Sequence, residues 1–270
     1  MENAKKMVRK AAKLQQHQIM KILQPTLDER LKNIGPTCSS AADIGEGALD
    51  GFPDAYLLQL HPEDPPYLFE CFWATRLNRD DADWAFHYKR SRWGFDEELK
   101  QRELTATAAR FFIIRARIHH SPSCPCSSSS DTSTTVRPVA YAHFRFVEDD
   151  SRPVLYCYEL QVEKDYHRRG LGTFLTEIME IIGKSTNMDV VMCTVFSYNE
   201  SSIDFFRKNG YDNDRTCIYG KDRSGGCLGR DYLVLSKSLN IEKKEKDGKK
   251  IVTVSGVSPL LVTSNGAFHV

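Results

Sequence analysis

Apolar residues recur along this chain with two different periods, and the change from one to the other divides it into segments. Met7, Ala11, Leu14, Gln18 and Ile22 follow helical spacing with basic residues on the other faces, so a helix is predicted from residue 1 to about 34. Residues 35–51 are rich in Gly, Ser and Ala and have no period, which predicts a loop. Alternation of Tyr56, Leu58 and Leu60 predicts a first strand within Phe52 to Leu60. After the breaker Pro65-Pro66, Cys71 to Leu77 and Asp80 to Ser91 read as helical, with Asp80 or Asp81 as cap. Glu97 to Leu104 reads as a further charged helical turn. Arg110 to Ile118 and Pro138 to Val147 are predicted strands, the second placing Val139, Tyr141, His143 and Arg145 on one face. The Ser- and Thr-rich stretch between them, residues 121–137, cannot bury a core and is expected to be a disordered hairpin insertion.

A strand from Val154 to Val162 comes next. Period two places Tyr156, Tyr158, Leu160 and Val162 on one face and Cys157, Glu159 and Gln161 on the other. Leu171 to Gly183 is predicted as a helix, Val190 to Phe196 as a buried strand, and Asn199 to Lys208 as a last helix ended by Asn209-Gly210. Tyr211 to Ile218 and Tyr232 to Leu239 close the pattern as strands around a glycine-rich loop, residues 224–229. The expected organisation is a basic helix and loop over 1–51, one α/β (α+β) domain over 52–239 with the insertion at 121–137, and a lysine-rich disordered tail over 240–270. No internal repeat is visible.

The turn between the strand and helix at 162–171 is built for an anion. Gly170 and Gly172 carry no side chain to block a ligand, so the amide N–H groups of residues 168–173 are free to point at a phosphate. The helix starting near Leu171 adds unpaired N–H groups and the positive end of its dipole, and Arg168 and Arg169 add charge. A Walker loop and a dinucleotide fingerprint are both excluded, because Gly170-Leu-Gly172-Thr-Phe-Leu175 lacks the third Gly and the Lys-Ser/Thr pair.

Composition narrows the setting. With 41% hydrophobic and 27% charged residues over 270 positions, the chain is expected to be a soluble domain with polar appendages. It has no apolar run near the roughly 18 residues that cross a bilayer, so it is expected to be neither secreted nor membrane-inserted. The net charge of +1 hides an asymmetry. Residues 1–32 carry eight Lys/Arg against three Asp/Glu and residues 236–270 six against three, which leaves the middle at 23 against 30. An acidic middle favours a basic substrate over nucleic acid. Lys5-Lys6 and Arg9-Lys10-Lys13 read either as a nuclear import signal or as the solvated face of a packed helix. Cys71, Cys157 and Cys193 sit in apolar runs, and Cys124-Pro-Cys126 lacks the paired arms of a zinc site. A reduced, metal-free intracellular chain is therefore expected.

Arg169-Gly-Leu-Gly172 after a strand, followed by Asn199, Phe205-Phe206 and Asn209-Gly210-Tyr211, resembles the acetyl-CoA signature of the GNAT superfamily of N-acetyltransferases. That signature is Gln/Arg-x-x-Gly-x-Gly/Ala for the pyrophosphate and Asn-x-x-Ala-x-x-Phe-Tyr for the helix beside the pantetheine. Here His167 stands where Gln or Arg is usual, Ser202 replaces Ala, and Phe206 replaces the Tyr often proposed as general acid. The resemblance implies a mixed sheet of about seven strands splayed between the fourth and fifth, with flanking helices and acetyl-CoA as cosubstrate. Leu160, Gln161, Val162, His167, Arg168, Arg169, Gly170, Leu171, Gly172, Thr173, Asn199 and Phe205 would bind it.

Ser91-Arg-Trp93-Gly-Phe95, Ala142-His143-Phe144-Arg145-Phe146, Leu155-Tyr156-Cys157-Tyr158-Glu159, Thr194-Val195-Phe196 and Phe205-Phe206-Arg207 further resemble the histone-specific N-alpha-acetyltransferases of the D type (NatD). This implies acetylation of the α-amine of a Ser-Gly-Arg-Gly histone N-terminus, in nucleus and cytoplasm and without an auxiliary subunit. Trp93, Tyr156, Tyr158 and Tyr232 would wall the channel, Asp149 with its neighbours Glu148 and Asp150 would receive the arginine, and Tyr158 would assist Glu159. Independently, a carboxylate in so apolar a strand needs a partner or a task, which makes Glu159 the candidate base and a backbone- or water-satisfied structural residue the alternative. Trp93 is equally readable as a core residue.

Overall fold

The computed structural model describes residues 2–32, 55–61, 64–87, 97–119, 134–217 and 231–239. Among them eight strands form one sheet: β1 (Tyr56–Leu58), β2 (Tyr67–Trp73), β3 (Arg110–His119), β4 (Thr134–Asp149), β5 (Arg152–Val162), β6 (Val190–Phe196), β7 (Asp212–Asn213) and β8 (Tyr232–Ser238). Their order is β1-β2-β3-β4-β5-β6-β8-β7. Only β5 and β6 run parallel, and they are joined through a helix because a parallel pair cannot be closed by a tight turn. The helices are α1 (Glu2–Ala12), α2 (Gln16–Lys32), α3 (Arg79–His87), α4 (Glu97–Thr105), α5 (Leu171–Ser185) and α6 (Glu200–Lys208).

Both sheet faces are covered. On one, Ala11, Ile19, Leu23 and Leu27 of α1 and α2, with Phe174, Ile178 and Ile182 of α5, pack on Phe69, Phe112, Phe144, Leu155 and Leu160. On the other, Ala85 of α3 and Leu104 of α4 pack on Phe111, Ile113 and Tyr141. Arg115 of β3 fastens α3 down: its buried guanidinium donates to Glu70 of β2 at 2.5 Å and to both oxygens of Asp81 at 2.8 and 2.6 Å. A cation so far from water is tolerable because every edge of its fork meets a carboxylate.

Several elements differ from the pattern-based expectation. Residues 2–32 form two helices rather than one, since Gln15 N–H turns to Gln18 Oε1 (2.8 Å) and Arg110 donates to Ala12 O (2.8 Å) at the end of α1. Residues 71–73 belong to β2 and 74–76 to a 3-10 turn; β2 is buried on both faces, which erases the alternation that would have marked it as a strand. Asn78, not Asp80 or Asp81, caps α3, its Oδ1 accepting from Asp81 N–H at 2.7 Å. Residues 134–137, assigned to the insertion, lengthen β4, and the strand expected over Tyr211 to Ile218 shrinks to Asp212–Asn213. Among the described residues the sheet has eight strands, in keeping with the expected number of about seven, β2 being the one the pattern did not mark. Cys71, Cys157 and Cys193 are free and buried, but Cys217 is disulfide-bonded, correcting the expectation of a fully reduced chain. The loop at 35–51, Trp93, the core of the insertion, the loop at 224–229 and the tail lie outside the described residues.

Two bulges position the site. Register slips between Ile114 and Arg115 leave Val139 unpaired, so Val139 packs with the Ala140 side of the sheet rather than with Tyr141. On β5, His143 faces Glu159 while Phe144 faces Cys157, which leaves Tyr158 as the extra residue. Alternation therefore resets at Tyr158. Leu155, Cys157 and Leu160 point into the core beneath α5, while Tyr156, Glu159 and Gln161 share the opposite face with Arg145, His143 and Tyr141. The expected grouping of Tyr156 with Leu160 and Val162 is thus broken by one residue.

Candidate functional site

The strand-to-helix turn is shaped as a backbone cradle. Arg168 (φ 61°) and Gly170 (φ 79°) are both left-handed, a pattern that turns successive N–H groups to one side. Among the described residues, no backbone carbonyl accepts a turn or capping bond from the N–H groups of 168–173; the first is Gly170 O, from Phe174 at 2.9 Å. A Cβ on Gly170 would meet nothing within 4 Å, so the approach is open. Gly172 is different. A Cβ there would lie 3.2 Å from the Phe205 ring and 3.8 Å from Leu160, so this glycine is bare to let α5 pack on α6. His167 turns back, with Nε2 2.9 Å from Val162 O, while Arg169 pairs with Asp64 at 3.4 Å. Arg168 is exposed and, among the described residues, has no carboxylate partner.

Beside this turn the sheet opens. β5 pairs with β6 only from Val154 to Cys157, so the edge from Tyr158 to Val162 faces β6 without a strand partner. The gap is a cleft whose lining includes Tyr158, Glu159, Leu160, Thr194, Asn199 and Phe206. Phe205 packs behind it against Phe206 (5.1 Å between centroids). Asn199 holds α6 at its start, its Oδ1 accepting from Ser202 N–H at 3.2 Å. Gln161 contributes only backbone, since its side chain is buried on the Tyr141 face. An anion cradle at one end and an unpaired strand edge leading inward fit a phosphate-bearing donor with an extended arm. They also leave backbone N–H groups near Leu160 free to meet a developing oxyanion.

Glu159 closes the inner end, 2% exposed. One oxygen is in direct contact with Lys100 Nζ of α4, and the other accepts from Tyr141 OH at 3.2 Å. Lys100 in turn reaches Glu103 at 3.3 Å. Burial alone would raise the Glu159 pKa, but the Lys100 ammonium, with His143 on the other side, outweighs it and the carboxyl is held down at about 2. Glu159 is ionised wherever the protein works, yet proton transfer to it from an α-amine of pKa about 7.7 to 8.0 is steeply uphill. The carboxylate is thus a fixed negative charge at the inner end of the cleft.

His143 sits 3.8 Å from the same carboxylate, too far to hydrogen-bond, between the rings of Phe111 (4.8 Å) and Tyr158 (5.2 Å). Burial lowers its pKa from 6.5 to about 4, so the imidazole is neutral at neutral pH. A folded pKa below the unfolded one means that protons favour the unfolded chain. The contribution of His143 is complete above 6.5 and lost as pH falls through about 4. Replacing His143 by Phe is therefore expected to flatten the decline in urea stability across that interval; an unchanged slope would assign it to other groups.

The remaining candidates line the same face. Tyr156 OH is hydrogen-bonded to Thr194 Oγ1, and its ring lies 5.0 Å from that of Tyr158. Arg145 lies 4.5 Å over Tyr158, whose pKa burial pushes up, so the phenol keeps its proton. Tyr232 opens β8 opposite Phe196. Asp149 stands at the far end of β4 and is already engaged, 3.4 Å from Arg152, which Asp214 holds more tightly at 2.8 Å. Asp150 pairs with Arg215 at 2.9 Å. Among the described residues Glu148 has no ion-pair partner. Sequence reasoning missed Lys100 and Glu103; their i,i+3 spacing on a short charged helix was the available signal, but nothing local pointed it at β5. Among the described residues no group of three or more His, Cys, Asp or Glu could hold a metal ion, and no helix is long and apolar enough to cross a membrane.

Comparison with known proteins agrees with this geometry. Residues 84–211 match the acetyltransferase (GNAT) family. Among solved structures, the chain is similar to an alanine N-acetyltransferase of a ribosomal protein from Escherichia coli (15% identity, 66% of this chain and 97% of that one, TM-score 0.41). It is also similar to Arabidopsis thaliana Naa50 in complex with a bisubstrate analogue (16%, 63% and 98%, 0.39) and to a GNAT acetyltransferase from Staphylococcus aureus (13%, 64% and 99%, 0.42). At those distances none of them speaks to substrate. Residues 84–211, the segment that matches the acetyltransferase (GNAT) family, hold both the phosphate cradle opening α5 and the sheet parted between β5 and β6, an arrangement that fits acetyl-CoA as cosubstrate.

Proposed function

We propose that this acetyltransferase acts on the free α-amine of an N-terminal serine, in peptides of the histone type Ser-Gly-Arg-Gly. The supporting observation is the bulge at Tyr158. It brings Tyr156, Tyr158 and Glu159 to one face beside the parted strands, with Thr194 and Phe196 across the gap. Aromatic walls around a fixed anion suit an extended, small-residue N-terminus that carries positive charge, and the acidic middle of the chain favours a basic peptide. Attack by the amine places positive charge on nitrogen as the oxyanion forms. Glu159 steadies the first and backbone N–H groups near Leu160 the second. An α-amine is half deprotonated near pH 8, so surrounding water suffices to carry its proton away.

The test is acetyl-CoA consumption with a Ser-Gly-Arg-Gly-Lys peptide, free and N-terminally blocked. Turnover of the free peptide alone supports the reading; equal turnover of the blocked one would make the acceptor a lysine side chain. Replacing the third-position arginine by alanine is expected to lower kcat/KM about 10-fold, near the low end for a charge-assisted bond, because Asp149 already answers to Arg152. Equal efficiency for the two peptides would indicate a broader N-terminal acetyltransferase.

A further inference from the structure

We propose that Lys100 is a positioning residue for acetyl transfer: clamped between Glu159 and Glu103, it keeps Glu159 a fixed, aimed anion at the reacting end of the cleft. This rests on the reaction taking place at the Glu159 end. Lys100 is 4% exposed and comes from α4, while Glu159 comes from β5, 59 positions later. A buried ammonium and a buried carboxylate in contact are each tolerable only because of the other. The groups facing Glu159 from α4 are Lys100 and Glu103. From β4 they are Tyr141 and His143, with Arg145 beyond His143, and from its own strand Cys157, with Tyr158 stacked on His143.

Of these, His143 is neutral and 3.8 Å away, and Arg145 is turned to Glu103 O and the Tyr158 ring. Lys100 is therefore the cation in contact with the carboxylate. Without it, Glu159 would keep the Tyr141 hydrogen bond but face Glu103 with no cation between them, and burial would favour its neutral form. The second consequence is mechanical. Lys100 ties α4 to the strand that borders the thioester, so the helix and the carboxylate keep one geometry.

Two readouts test this on the full chain. In the first, the protein is labelled with carboxyl-¹³C glutamate and the Glu159 signal is identified by its loss in Glu159→Gln. The wild-type signal is expected to remain that of a carboxylate down to the acid limit of folding, and in Lys100→Met to titrate above the ordinary glutamate value. A wild-type Glu159 that titrates ordinarily, or one unmoved by Lys100→Met, overturns the inference. Should Lys100→Met not fold, Lys100→Gln takes its place, and the wild-type titration decides without either.

In the second, kcat/KM with acetyl-CoA and the free Ser-Gly-Arg-Gly-Lys peptide is followed against pH. Lys100→Met is expected to gain a second acid limb, beyond the one that the substrate amine gives the wild type, and to lose about 10-fold in rate on its acid side, as for a group protonated out of use. Lys100→Arg should restore the wild-type profile. A stable Lys100→Met enzyme with the wild-type profile overturns the inference while leaving the substrate reading intact. If the wild type leaves the peptide unacetylated but the Glu159 titration behaves as expected, the substrate reading fails and the role of Lys100 stands.

Discussion

Glutamine in place of Glu159 is expected to lower kcat for peptide acetylation about 10²-fold with little change in peptide affinity, while the acid limb of the pH profile stays in place. The substitution keeps shape and the Tyr141 contact but removes the negative charge that, in the reading proposed above, steadies the attacking nitrogen. Because the carboxyl is held at about 2, it does not titrate in the working range, so any acid limb there belongs to the substrate amine. The variant also leaves Lys100 with Glu103 as its remaining carboxylate, so its melting temperature should fall. Turnover per folded molecule, measured across pH, separates the two effects. Loss of the limb would show that Glu159 takes the proton itself; unchanged turnover would make it purely structural.

A tryptophan at Gly172 is expected to unfold the protein rather than merely block the donor site. The missing Cβ already lies 3.2 Å from Phe205, and an indole there must separate α5 from α6. Overpacking of a buried helix contact costs about 1 to 3 kcal/mol for far smaller additions. Gly170 carries the contrasting expectation. Its Cβ direction is open, so Gly170→Trp should fold, losing about 1 to 2 kcal/mol for the left-handed backbone. It should nevertheless lose CoA affinity by filling the approach to the cradle. Circular dichroism melting and calorimetry with CoA read both variants. A well-folded Gly172→Trp would contradict the packing seen here, and retained CoA affinity in folded Gly170→Trp would remove the phosphate turn from the site.

What could be read from the sequence was whatever a few neighbouring residues settle among themselves. The glycine turn into α5, the last helix from Asn199 to Lys208, the strands at Arg110 and Val154, and the candidate carboxylate at Glu159 all depend on spacing within one segment. Where both faces of a strand are buried, as in β2, the period that betrays it vanishes, and Cys71 to Leu77 passed for a helix. Everything that turns on register or on distant partners was decided by the folded chain. The bulge at Tyr158 is a relation between β4 and β5, invisible in either alone, and it regroups the faces on which the substrate wall depends. Gly172 and Gly170 look alike in sequence, and only the nearness of Phe205 tells them apart. Asp149 was free on paper and is bound to Arg152 in space. Glu159 was legible as an oddity because an unpaired charge in an apolar strand is costly. Its character as a fixed anion came from Lys100, which only the docking of α4 on the sheet could supply.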